Sequence, residues 1–89
     1  MGSSTQELPD ICILDDTNFH RWSLEIMLTM KGKGLWKYVV DNNVNDAEDS
    51  RKYMAMAFIV RTVNETNFHR ISSCETAKQM MERLIQFHS

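Results

Sequence analysis

The sequence predicts an all-α fold, a compact bundle of about four to five helices with an extended N-terminal segment. Apolar residues recur at three- and four-residue spacing in two long stretches, and this spacing is the period of an amphipathic helix. A third stretch, residues 53–60, is apolar on every side, and a helix of that kind requires burial on several faces. The apolar content of 43% and the charged content of 25% are ordinary for a globular chain.

The length of 89 residues corresponds to one domain. We expect residues 1–9 to be a flexible N-terminus, in part a possible tag remnant, and residues 10–89 to form a single helical domain. Pro9 disfavours helix at the residue before it. The short apolar run at residues 11–13 is therefore expected to be extended and to lie over the helical core without building a sheet.

The first helix is predicted to start at Thr17 or Asn18, which are favourable N-cap residues. Gly32 and Gly34 are expected to end it. A short helix over residues 35–40 should follow. The main apolar stripe of the first helix consists of Phe19, Trp22, Ile26 and Met30.

The third helix is predicted to run from about Asp46 to Val63, after a polar loop at residues 41–46. Asn45 is its expected N-cap, and Glu48, three residues later, resembles the second half of a capping box. The apolar stretch inside it indicates either the central helix of the bundle or a helix that meets another subunit.

The last helix is predicted to follow a loop or short helix at residues 64–71, with Ser72 and Glu75 as its capping box. Its apolar residues form a single stripe that should face the core: Ala77, Met80, Met81, Leu84 and Ile85.

The charge balance argues against nucleic acid as a partner of this domain. The net charge is −2, and the cations are scattered, whereas phosphate binding depends on clustered Lys and Arg. A phosphate contact at Lys31, Lys33 and Lys37 remains an alternative, but cations at a helix C-terminus are favourable without any ligand. A helix-turn-helix DNA-binding domain is disfavoured for the same reason.

Two cysteines, Cys12 and Cys74, are too few for a disulfide scaffold and fit an intracellular setting. We find neither the pattern of a signal peptide nor an apolar run of membrane-spanning length. We expect an intracellular location, in the cytoplasm as for virus-like particles, with the nucleus as an alternative. No membrane partner is expected.

The sequence predicts no enzymatic activity, no cofactor and no small-molecule substrate. None of His20, His69 and His88 has a second ligand at the spacing that places two metal ligands on one helix face. A metal site assembled from His20, His69 and Cys74 is the weaker interpretation, because exposed histidines near helix ends are common. A Cys–His nucleophile pair would need an orienting group and a cleft that the sequence does not indicate.

Three short motifs occur in a characteristic order: Asn18-Phe19-x-x-Trp22, Gly34-Leu35-Trp36 and Thr76-Ala77-Lys78, the last leading into the final amphipathic helix. In this order the chain resembles the N-terminal part of copia-type retrotransposon Gag (capsid) proteins, over roughly residues 10–88. The resemblance implies an all-α capsid N-terminal lobe without catalytic residues. It implies a structural core role for Phe19, Trp22, Ile26, Leu35, Trp36, Phe58, Ala77, Met80 and Leu84.

The chain also departs from that family. Full Gag proteins continue into a second lobe and often carry a Cys-x-x-Cys zinc knuckle, and neither is present here. The expectation is a fragment or a domesticated gene product that kept one lobe. The approach to the first motif, residues 14–17, lacks the glycine that is usual in the family.

Four residues are candidates for a subunit interface. Leu24 and Leu28 form a second stripe nearly opposite the first one, and Met56 and Met81 are adaptable side chains suited to contacts. Other methionines, Met30, Met54 and Met80, are expected in the core.

These residues lead to two hypotheses for function. The first is a self-assembling capsid domain that contacts itself or another capsid-like protein. The alternative is a domesticated Gag-derived module that acts as an adaptor or as an inhibitor of capsid assembly.

Overall fold

The computed structural model describes residues 11–41 and 50–88, and in these ranges it confirms the all-α prediction. Residues 1–10, 42–49 and 89 lie outside the described part, and with them the predicted loop, the start of the third helix and its Asn45 and Glu48 caps. The described helices are α1 (Phe19–Lys33), α2 (Lys37–Val40), α3 (Arg51–Arg61), α4 (Glu65–Ile71) and α5 (Ala77–His88).

The C-terminal helix α5 is the centre of the described bundle, because α2, α3 and α4 all pack against it. The sequence left two roles open for the third helix, the centre of the bundle or a contact with another subunit, and the central position belongs to α5. The first helix meets the end of α5 where the Phe19 ring stacks on the His88 ring, with centroids 4.8 Å apart. The buried apolar core consists of Leu14, Trp22, Ile26, Met30, Leu35, Tyr38, Val39, Ala55, Ile59, Ile71, Cys74, Ala77, Met80, Met81 and Leu84.

The start of α1 is not capped by the side chain that the sequence suggested. Asn18 makes no capping bond to the helix. Its Oδ1 accepts a hydrogen bond from the Asp15 backbone N–H at 2.9 Å, and its Nδ2 donates to the Ile13 carbonyl at 3.0 Å. Asn side chains readily bond to nearby backbone groups outside helices, and here that competition ties the incoming segment to the helix.

The end of α1 is a Schellman motif. Gly34 has φ of 74°, a left-handed conformation that glycine adopts without steric cost. The Gly34 N–H donates to the Lys31 carbonyl at 3.2 Å, and the Leu35 N–H donates to the Met30 carbonyl at 2.9 Å. Leu35 and Met30 are both buried, which is the apolar contact typical of the motif. Gly32, predicted to share in ending the helix, lies inside it.

The N-terminal segment lies over the helical core, as predicted. Leu14 is fully buried. Its N–H donates to the Thr62 carbonyl at 2.8 Å, and its carbonyl accepts from the Asn64 N–H at 3.0 Å. These bonds form one isolated parallel bridge between Leu14 and Val63, so within the described residues the segment pairs locally and builds no sheet.

Within the described residues, the third helix, α3, is buried on one side, so it is not the central helix of the bundle, and its contact with another subunit stays a prediction. Ala55 and Ile59 are fully buried. Tyr53 is 61% exposed and Met54 is 57% exposed, so Met54 is not a core residue. In the described residues, no helix is both long enough and apolar enough to cross a bilayer.

The last helix begins one turn later than its predicted capping box. Thr76 Oγ1 accepts from the Gln79 N–H at 3.1 Å, and Gln79 Oε1 accepts from the Glu75 N–H at 2.9 Å. The Ser72 hydroxyl instead donates back to the His69 carbonyl at 3.2 Å. The functional capping pair is therefore Thr76 with Gln79.

Candidate protein-interaction site

The apolar residues of the three sequence motifs lie in or against the core. Trp22 and Leu35 are buried, and the Phe19 ring lies 6.0 Å from the Trp22 ring. The other predicted core residues that are buried are Ile26, Ala77, Met80 and Leu84. The remaining three, Phe19, Trp36 and Phe58, are partly buried and pack against the core.

The Trp22 indole is the one buried side-chain polar group of the described residues without a hydrogen-bond partner. A buried Trp N–H usually finds an acceptor, and the sequence raised the same expectation. The ring is held by its apolar packing alone, since the whole side chain is inaccessible to solvent.

The four predicted interface residues divide into three groups. Leu24 is 49% exposed and Leu28 is 58% exposed, so both are available for contacts. Met56 is partly buried against the core. Met81 is only 5% exposed and belongs to the core, which corrects its assignment as a surface contact. The reason is that three helices pack against α5, and together they bury a wider part of its circumference than one apolar stripe.

Other large apolar side chains are exposed although the sequence did not assign them to an interface. Ile85 was expected to face the core as part of the stripe of α5, yet it is 47% exposed. Phe87 lies three residues after Leu84, at the edge of the apolar stripe of the same helix, and it is 53% exposed. The described residues of this kind are Ile13, Val40, Tyr53, Met54, Ile85 and Phe87.

A groove runs between α1 and α5, and we call it the α1/α5 groove. Its volume is about 420 Å³. A second hollow of about 300 Å³ continues from it towards α2 and shares Trp36, Met81 and Ile85 with it. The groove is lined by Phe19, His20, Ser23, Leu24, Met27, Trp36, Met81 and Ile85.

The chemistry of the groove is mainly apolar. Leu24 and Ile85 form exposed walls, and the buried Met81 lies in its floor. The nearest ion pair joins Lys78 and Glu82, which line the hollow towards α2 and pair across one turn of α5. A surface of this kind can bury apolar side chains of a partner, because burial of apolar area is the main driving force of association.

A buried polar hub lies at the C-terminal end of α5. Asn67 is fully buried. Its Oδ1 accepts from Arg70 Nη1 and from His88 Nε2, both at 2.9 Å. Its Nδ2 donates to Asn64 Oδ1 at 2.9 Å and, at 3.5 Å, to the Leu14 carbonyl. Because Oδ1 only accepts, His88 Nε2 carries the proton in this bond.

Arg70 extends the hub to the N-terminal segment and to the last turn of α5. Its Nη1 lies 3.1 Å from Asp16 Oδ1, and its guanidinium lies over the Phe87 ring at 4.6 Å from the centroid. The hub therefore joins the N-terminal segment, α4 and the last turn of α5. No feature of the sequence marked Asn67, since most asparagines are exposed.

Two carboxylates accept hydrogen bonds from backbone amides of the N-terminal segment. Asp15 accepts from the Thr17 N–H at 2.8 Å and from the Thr17 hydroxyl at 2.7 Å, which keeps the pKa of Asp15 below its usual range. Glu25 accepts from Arg21 Nε at 2.9 Å and from the Cys12 N–H at 3.1 Å. These bonds, with that from Arg21 the larger, lower the pKa of Glu25.

The cysteines and histidines do not converge. Cys74 is a buried free thiol, and His69 Nε2 lies 3.4 Å from Glu65 Oε2 on the surface of α4. Burial, followed by the charge of Glu25, raises the pKa of the Cys12 thiol and favours its protonated form. Among residues 11–41 and 50–88 there is no group of three His, Cys, Asp or Glu side chains with the geometry of a metal site.

The α1/α5 groove is thus the main candidate site among the described residues. Comparison with models of protein families, with curated proteins and with solved structures gives no match for this chain.

Proposed function

We propose that this chain is a self-association domain of a retrotransposon-derived Gag (capsid) protein, whose helix faces form contacts between copies in an oligomer or particle. The observation that carries the proposal is the α1/α5 groove, an apolar hollow whose walls, Leu24 and Ile85, are about half exposed. Contiguous exposed apolar surface is typical of interaction sites in small soluble domains.

The sequence motifs support the capsid part of the proposal. Phe19 and Trp22 place α1 on the core, and Leu35 lies buried directly after the Gly34 turn. Ala77 is fully buried at the first turn of α5, where a small side chain allows neighbouring elements to approach closely. These positions agree with the roles that the resemblance to copia-type Gag implies.

The energetics favour many weak contacts over one strong contact. Full burial of a leucine or isoleucine side chain contributes about 1.5–3 kcal/mol, so covering a half-exposed one contributes about half of that. A few such side chains offset the entropy cost of association only partly. Symmetric repetition of the same contact raises the overall avidity in an assembly.

The test is the mass of the chain by light scattering after size exclusion, from micromolar to millimolar concentration. We expect the mass to rise with concentration. In the Leu24→Asp variant the dissociation constant should increase at least about tenfold, since a charge then lies in the apolar wall. The matched control is Thr66→Asp on the exposed side of α4, which should associate like the parent chain.

Circular dichroism separates loss of association from loss of folding, because both variants should keep the parent's helicity. A mass equal to the monomer at every concentration would contradict the proposal.

A second candidate is a domesticated Gag-derived module that binds a helix of another protein. It is favoured by the shape of the α1/α5 groove, since a hollow between two helices is the geometry that receives an amphipathic helix. The test is titration with a helical peptide carrying leucines at three- and four-residue spacing, followed by tryptophan fluorescence. We expect a saturable change from the partly exposed Trp36 that Leu24→Asp removes, and a flat titration would count against it.

A further inference from the structure

The arc of α5 that borders the α1/α5 groove carries an ordered set of side chains, of which Met81 is buried and the others are at least partly exposed. Lys78, Met81, Glu82 and Ile85 line the two adjoining hollows and recur at the spacing of one helix face. One end of the arc is charged, with a cation and an anion one turn apart, and the other end is the apolar Ile85.

The charged end is complementary to itself. Lys78 and Glu82 form an ion pair within α5, and the exposed fractions of their side chains are 25% and 58%. If a second α5 lies antiparallel across this arc, the twofold axis passes near residues 81 and 82. Lys78 of each copy then lies against Ile85 of the other, one turn from its Glu82. The apolar stem of the lysine covers the isoleucine while the ammonium group reaches the carboxylate.

We infer that the α1/α5 groove is covered by the same groove of a second copy of this chain, with the two α5 helices antiparallel about a twofold axis and Lys78 of each copy paired with Glu82 of the other. This inference rests on the proposed self-association and gives it a surface and a symmetry. A twofold contact uses the same patch on both partners, so a patch with one cation and one anion satisfies both charges.

The apolar part of the groove fits the same arrangement. Leu24 and Ile85 flank a floor that contains Met81, and a twofold axis supplies each of these side chains twice. The net charge of −2 opposes the approach of a second copy only slightly. A stable dimer buries about 800 Å² per partner, which is more than this narrow groove offers, so the contact should be weak, with a dissociation constant of order 10⁻⁵–10⁻³ M.

The α3 surface is a less suitable site for this contact. Tyr53 and Met54 are exposed there, but they stand on a single helix face, and the Lys52 ammonium lies over the Tyr53 ring at 5.2 Å. Neither of the two hollows described above is lined by Tyr53 or Met54.

The test is a charge-swap mixing experiment with Lys78→Glu and Glu82→Lys, measured by sedimentation velocity. Each variant alone presents like charges to its own copy, so its self-association should weaken at least about tenfold. An equimolar mixture presents opposite charges across the twofold axis. The mixture should therefore associate within about threefold of the parent chain, a recovery that no effect confined to one chain produces.

Two control variants carry the same changes in net charge outside the groove. Glu75→Lys precedes α5, and Arg61→Glu lies at the exposed end of α3. Both should associate like the parent chain, alone and mixed.

The doubly substituted chain, Lys78→Glu with Glu82→Lys, restores the ion pair and should self-associate like the parent. It keeps the test decisive if one single variant folds poorly.

The outcomes separate the two levels of the proposal. A parent chain that stays monomeric to millimolar concentration overturns both the proposed function and this inference. A parent chain that associates, while the mixture associates no better than its separate components, overturns only the antiparallel α5 contact. Single variants that both associate like the parent chain would also overturn only the antiparallel α5 contact.

Discussion

Asn67 determines how both ends of the described chain meet the bundle. Its amide bonds to Asn64 and more weakly to the Leu14 carbonyl on one side, and it accepts from Arg70 and His88 on the other. A buried polar group contributes little net stability when paired, but its removal leaves buried partners unsatisfied. The stability of the fold therefore depends on this side chain more strongly than on an exposed polar residue.

We therefore predict that Asn67→Ala lowers the free energy of unfolding by about 2–3 kcal/mol, because several partners lose their bonds at once. Urea unfolding followed by circular dichroism measures the change. The neighbouring Thr66→Ala, at an exposed position of the same helix, should stay within about 0.5 kcal/mol of the parent. A loss below about 0.5 kcal/mol for Asn67→Ala would show that the hub is dispensable.

At the scale of single elements, the two glycines near the end of α1 differ in conformation. Gly34 has a left-handed φ of 74° that an L-residue adopts only with strain. Gly32 lies within the helix, and a Cβ added there would meet no atom within 4 Å. Their substitution by the same residue should therefore have opposite effects.

Gly34→Ala should destabilise the protein by about 1–2 kcal/mol, whereas Gly32→Ala should stabilise it by up to about 1 kcal/mol. Thermal unfolding of both variants beside the parent chain measures the two shifts, and each variant is the control of the other. Shifts of equal sign would mean that the Schellman turn does not determine the end of α1.

Sequence periodicity located the helices, because the apolar face of each follows the helical repeat. It located the start of α1, where Asn18 stands at the N-cap position, but not the first residue of α5. Two overlapping capping patterns precede α5, Ser72 with Glu75 and Thr76 with Gln79, and local sequence does not distinguish them. Tertiary packing determines which of the two patterns caps the helix. Cys74 is buried and its N–H donates to the Ile71 carbonyl, so the chain is still in the turn after α4 at this point.

The candidate site was predictable only in part, for a related reason. Leu24 and Leu28 were found because they lie far from the main apolar stripe of α1. Met81 and Ile85 were both placed on the apolar stripe of α5, and which of them is exposed depends on how neighbouring helices cover it. Periodicity shows which side of a helix is apolar but not how far other elements extend over that side.

At the scale of the whole molecule, the N-terminal segment is attached to the helices by one carboxylate and one backbone carbonyl. The Cys12 amide donates to the Glu25 carboxylate and the Leu14 amide to the Thr62 carbonyl, whereas the Thr17 amide donates to Asp15 within the segment and fixes its local turn. Both carboxyl groups have folded-state pKa values below their unfolded values. Their contribution to stability is therefore present above the usual carboxyl range and is lost as the pH falls through the lowered values.

We predict that acid titration shifts the Cys12 and Thr17 amide resonances, with midpoints below the ordinary pKa values of Glu and Asp, because protonation weakens the bonds they donate. Two-dimensional NMR of the labelled chain gives both midpoints. The Leu14 amide is the internal control and should not titrate over the same range. Midpoints at the ordinary values would contradict the account given for both carboxylates.

The bridge between Leu14 and Val63 has a consequence for the order of folding. The two residues are about 50 positions apart, and closing a loop of that length costs about 3 kcal/mol of chain entropy. The Schellman turn of α1 and the caps of α4 and α5 join residues only a few positions apart, and such local contacts form early. The N-terminal segment is thus expected to dock after the helices have assembled, so it secures the finished bundle and does not guide its formation.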